Sequence, residues 1–187
     1  MRLSTRRRAE RGSISVELAL VILPLATLVL GAVEVASGWK ANTEVSSASR
    51  QGARVVTHLG TDNQSDREAL RSVVAGVGGS ADRIERVIIF DETVNPDLGT
   101  ACTGAAGQRC NRYESTELDD LEIDAVWGCG AGAHDRNWCP TSRSDAAGDP
   151  DTIGVVVVLR HEYISNFFGM NGMNLSERTV MRVEPGA

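Results

Sequence analysis

Aromatic residues are scarce in this chain: three Phe, three Trp and two Tyr make up 4% of its 187 residues. Its folded part must therefore be small and rest mainly on Val, Leu, Ile and Ala. Basic groups are also scarce once the first twelve residues are passed. Residues 1–12 hold five of the 19 basic groups (Arg2, Arg6, Arg7, Arg8 and Arg11) against one acid, Glu10; the other 175 residues carry 14 basic and 24 acidic groups, a net charge of −10. An acidic body is a poor binder of polyanions, because neutralising phosphates needs Lys and Arg, so no nucleic-acid partner is expected. Catalytic signatures are missing too: the chain has no P-loop, no G-x-S-x-G, no H-E-x-x-H and no C-x-x-C. His58, His134 and His161 have no recognisable nucleophile beside them, and Gly76, Gly78 and Gly79 read as a helix stop rather than a phosphate cradle. No enzyme, cofactor, metal centre or small-molecule substrate is expected.

What the chain does have is one long apolar run. Leu18–Val33 (LALVILPLATLVLGAV) is 16 residues without a charge. Extended to residues 13–36, with Glu17 and Glu34 near its ends, it spans roughly 36 Å as a helix, against a hydrocarbon thickness of about 30 Å. Five arginines precede it and only Lys40 and Arg50 follow closely, which places the N-terminus in the cytoplasm by the positive-inside rule. A cleaved secretory signal also begins basic and turns apolar, but this run is longer than a typical signal core and no A-x-A site follows it. The reading is a basic leader (1–12), a retained transmembrane helix (13–36) and an external domain (37–187). Pro24 removes a helical hydrogen bond, so a kink in the membrane helix is expected there. Glu17 is costly in hydrocarbon, about 2.5–3.5 kcal/mol at the bilayer centre and less near an interface. It either snorkels to the headgroups or meets a charged partner within an assembly.

Beyond the span, Val45, Ala48, Gly52, Val55, Val56 and Leu59 recur at helical spacing, with Lys40, Glu44, Arg50 and Arg54 off that stripe. The membrane helix is thus expected to continue as a stalk to about His58, its stripe packing within the molecule or, through its small residues, against another helix. After a break at Gly60, a short helix is expected from Ser65 to Ala75, with Ser65 and Glu68 as a capping box. Arg86–Phe90 (RVIIF), Ile153–Leu159 (IGVVVVL) and Leu175–Val183 read as strands, with Asn171-Gly172 as a turn before the last. Residues 91–150 read as loop with little regular structure beyond Leu121–Trp127. The fold class is α+β: a long N-terminal helix packed on a small antiparallel sheet, with a disulfide-bearing loop region.

That region holds all four cysteines, Cys102, Cys110, Cys129 and Cys139. An even number outside the membrane suggests two disulfides. Of the three connectivities, the local pairs 102–110 and 129–139 are favoured because each closes a short loop at low entropic cost. A zinc site using the thiols and His134 is the alternative, weakened by the lack of C-x-x-C. Trp39 suits an interfacial anchor, while Trp127 and Trp138 suit packing against the disulfide loops.

GSISVELALVILPLA (Gly12–Ala26) resembles the start of TadE-like proteins, the minor pilin-like components of tight-adherence pilus systems, in its basic leader, glycine, glutamate five residues on and apolar run. RQGAR (Arg50–Arg54) is similar to an R-E-G-A-R element of that family, Glu34 falls where the family often places an acid, and LSERTVMRVEP (Leu175–Pro185) resembles the last strand of actinobacterial members. Leu18 stands where pilus sequences often have Tyr or Phe. The resemblance implies a pilin-like head and cleavage by a prepilin peptidase between Gly12 and Ser13. Glu17, fifth in the mature chain, would then pair with a neighbouring subunit's new α-ammonium. The implied role is a non-catalytic assembly component among other pilin-like subunits in the cell membrane; a membrane-tethered binding module is the alternative.

Overall fold

A computed structural model describes residues 6–78, 81–94, 96–105, 107–164 and 171–185, with residues 6–13, 81 and 98 as backbone only. Helix α1 (Arg6–Leu59) runs unbroken for 54 residues and carries Pro24 inside it. Its two halves have different surroundings. Every apolar side chain from Ile14 to Val35 is exposed or half-exposed, whereas from Ala41 onward one stripe is buried: Ala41, Val45, Ala48, Ala53 and Val56. The expected stripe is therefore the face that packs on the head, with Val55 and Leu59 at its partly buried margin.

Helix α2 (Ser65–Gly76) folds back on this stripe. The crossing is close because two glycines allow it. A Cβ on Gly76 would lie 2.8 Å from the Cα of Ala48, and one on Gly52 would lie 2.5 Å from a methyl of Val73. The expected capping box is not formed. Gln64 occupies the N-cap, and Ser65 sits inside the helix, its hydroxyl taken by Arg143 at 3.1 Å. At the other end Gly78 has φ +81°, the left-handed conformation that stops a helix without a Cβ penalty; Gly79 lies outside the described residues.

Strands β1 (Ile84–Asp91), β2 (Cys110–Glu114), β3 (Thr152–Glu162) and β4 (Gly172–Arg182) form one antiparallel sheet in the order β2-β1-β3-β4. The two apolar runs are central and covered on both faces, which is why they do not alternate with polar residues. Val87, Ile89, Val155, Val157 and Leu159 join the main core with α1 and α2. Ile88, Phe90, Val156 and Val158 form a second core with Cys102 and Cys110. The edge strand β4 does alternate: Leu175, Thr179 and Met181 are half-buried, Ser176, Arg178 and Val180 exposed.

Two further expectations are corrected here. Residues 91–150 are not simply loop: they contain β2 and two single-turn helices, α3 (Leu98–Ala101) and α4 (Ser115–Leu118). The sheet therefore has four strands, one more than the sequence suggested. Asn171-Gly172 is not the turn itself, because Gly172 already pairs with Glu162 inside the ladder, so the connection runs over residues 163–171.

Candidate functional site

The residues singled out for assembly all lie on α1. Gly12 and Ser13 are on its helical backbone, with side-chain surroundings outside the described residues. Glu17 is exposed and has no hydrogen bond or ion pair among the described residues. At Pro24 the helix continues, and Thr27 Oγ1 donates to the Pro24 carbonyl at 2.8 Å. Residues 14–35 would span roughly 33 Å along the axis, enough for hydrocarbon about 30 Å thick, so α1 supplies one candidate membrane span by length and composition.

The stalk has a second face, turned away from the head. Trp39, Asn42, Ser46, Arg50, Gln51 and Arg54 border a shallow groove of about 510 Å³ along it. Its two cations, Arg50 and Arg54, lie one turn apart at the head-side end, and Arg50 is held by a hydrogen bond to Ser46 at 3.0 Å. Such a face offers polar, close-approach contact to another helix; it holds no group positioned for chemistry.

Residues 12–54 match the TadE-like protein family. The match covers the bare half of α1 and most of its stalk, stopping short of α2 and the sheet. It points to a component associated with the tight-adherence pilus, a kind of protein that is generally non-enzymatic. Comparisons with curated proteins and with solved structures gave no match. The TadE-like region is thus the part of the chain that the fold leaves uncovered, together with the helix that carries it into the head.

The four cysteines are joined as Cys102–Cys110 and Cys129–Cys139. No sulfur is free, so the zinc alternative with His134 has no thiolate to use. His134 instead faces Glu117 at 3.1 Å and Asp120 at 3.5 Å. His58 meets Glu184 at 3.0 Å on the surface. His161 lies near the end of β3 with its ring edge-on to Tyr163.

Sequence reading missed a buried polar cluster beside the second disulfide. Asp66 of α2 and Arg143 form a fully buried ion pair at 2.7 Å. Asn111 of β2 donates to Asp66 at 3.0 Å and to the Trp138 carbonyl at 2.8 Å, and the Arg143 guanidinium sits 4.4 Å above the Trp138 ring. Tyr113 Oη lies 2.7 Å from both Asp66 and Asp135, while Asp135 also accepts the Gly128 N–H at 2.7 Å. One phenolic proton serves only one of the two carboxylate contacts, so the other needs a protonated carboxyl. Burial pushes Asp135 up to about 7, and the Asp66 charge adds to the shift; the bonds from Tyr113 and Gly128 and the Arg143 charge oppose it. Burial, followed by the charges of Asp66 and Asp135, holds the Tyr113 phenol well above its ordinary value. The cluster is closed to solvent and joins α2, β2 and the 127–143 loop. Its chemistry is that of a staple. Nothing in the local sequence marks it, since its members come from three separate segments.

Proposed function

We propose that this protein is a minor pilin or pseudopilin, a structural subunit of a tight-adherence pilus or related secretion machine. The observation that carries the reading is the division of α1. One continuous helix is built into the head at its C-terminal end and bare at its N-terminal end, and the family match lies over that bare half. A helix continuous from span to head transmits position from membrane to head, as a subunit inserted into a bundle requires. The orientation follows from the arginines: leader in the cytoplasm, head outside, where two disulfides are stable. Prepilin peptidase cleavage after Gly12 would remove all five leader arginines and create an α-ammonium at Ser13, at the membrane edge. In a bundle that cation is a suitable partner for the exposed Glu17, without a partner among the described residues, of a neighbouring copy or another pilin-like subunit.

The test is co-expression with the cognate prepilin peptidase, followed by intact-mass measurement. A mature chain beginning at Ser13 is expected. A chain that keeps Met1, or one cut near residues 32–38, would remove the processing step and favour a simple tethered domain.

A further inference from the structure

The last three residues of β3 extend beyond the rest of the sheet. β1 pairs with β3 only as far as Leu159, whereas β4 continues to pair through Arg160, His161 and Glu162. This two-stranded overhang follows α1 back toward its N-terminus. A Cβ on Gly38 would lie 3.9 Å from the His161 ring, and the Ile164 N–H donates to a Glu34 carboxylate oxygen at 3.1 Å. The hairpin therefore reaches about two turns below Ala41, where burial of the stalk by the head begins.

Glu34 lies at the edge of the bare apolar helix, between Val33 and Val35. At that level the hairpin presents apolar and amphipathic groups outward: Ile164 is 68% exposed, Met173 is 43% exposed, and Tyr163 donates its hydroxyl to the Met173 sulfur at 3.3 Å. Trp39, 76% exposed, stands on the helix just beyond. Indole and phenol rings with a polar tip suit the headgroup boundary, and an exposed Ile costs least where it meets acyl chains.

We infer that the overhanging end of the β3–β4 hairpin, with Ile164 at the lower edge of its described residues, is a second contact with the lipid bilayer, entering the headgroup layer of the leaflet from which α1 emerges. This rests on the reading of α1 as a membrane span and goes beyond it. The surface is continuous with the bare span, and a backbone hydrogen bond ties it to Glu34. An unbroken helix and a rigid ladder then hold the head at one height and tilt over the membrane, instead of letting it swing on a tether.

The experiment places a photo-crosslinking amino acid at Ile164, at Leu28 in the span and at Val94, an exposed apolar site beside the opposite end of the sheet. The full chain is reconstituted in phosphatidylcholine–phosphatidylglycerol vesicles and adducts are identified by mass spectrometry. Lipid adducts are expected at positions 28 and 164, with yield at 164 several-fold above that at 94. Adducts at 28 with none above background at 164 would overturn the hairpin contact while leaving the span intact. Absence at 28 as well would overturn the membrane reading itself. Adducts at 164 to a second protein chain in place of lipid would reassign the surface to a subunit interface.

Discussion

The ring of Phe90 lies across Gly154, its partner in the β1–β3 ladder, so closely that a Cβ on Gly154 would come within 2.2 Å of the ring's Cζ. The glycine in the otherwise β-branched run of β3 is thus the seat of the largest side chain in the second core. Arg178 also lies against the ring, its guanidinium 5.0 Å from the centroid. Gly154→Ala should displace a packed aromatic rather than fill a void. A loss of about 1–3 kcal/mol is expected from overpacking, read as a lowered urea midpoint with unchanged slope. An unchanged midpoint would mean that Phe90 has room to rotate away.

Asp135 makes head stability depend on pH. Its folded pKa is raised, from an ordinary value near 3.8 to about 7. Below the unfolded value both states hold the proton and its contribution is complete. As pH rises toward 7 the unfolded carboxyl ionises first, so stability is lost across this window and levels off above it. The loss is at most of order 4 kcal/mol, its value if Asp135 acts alone. Asp135→Asn keeps the shape, accepts from Gly128 and donates to Tyr113 without titrating. Urea unfolding of the full chain in detergent between pH 4 and 8 should show a flatter profile for the variant; parallel profiles would exclude Asp135 as the titrating group.

Each disulfide closes a short loop, so the chain-entropy gain is modest, about 2.5–3 kcal/mol apiece. Non-reducing peptide mapping of protein taken from the native membrane should recover Cys102 with Cys110 and Cys129 with Cys139. The double variant Cys129→Ser/Cys139→Ser should also loosen the Asp135 staple, raising amide exchange around Gly128 and Trp138. Four free thiols in native membranes would contradict both the bridges and the external placement of the head.

Glu17 discriminates between assembly and mere anchoring. If it only snorkels, Glu17→Gln changes nothing and inserts slightly better, because a neutral amide costs less in hydrocarbon than a carboxylate. If it pairs with a neighbour's α-ammonium, the variant strands that cation; breaking a buried pair costs about 3–5 kcal/mol, less at a wet membrane edge. Normal membrane levels and normal processing are expected, with co-purification of other pilin-like subunits lost. Retained co-purification would return Glu17 to a passive role.

Features set by local pattern could be read from the sequence alone. The apolar run from Leu18 to Val33, the helical stripe from Val45 to Val56, the β-branched runs of β1 and β3 and the alternation of β4 each carry their own periodicity. Burial acts on neighbouring residues in these elements, so the α+β class, the long helix and its TadE-like start were legible. Only the tertiary structure decided the rest. Cys110–Glu114 became a strand because β1 offered it a partner, in a stretch whose glycines and acids otherwise read as loop. Ser65 lost its capping role because Arg143, 78 residues away, took its hydroxyl. The Asp66–Tyr113–Asp135–Arg143 staple exists only once three segments close around it and bury it, where desolvation makes each charge depend on its neighbours. The reach of the hairpin down to Glu34 likewise follows from how far the β3–β4 ladder outruns β1, a difference in pairing length that no single strand records.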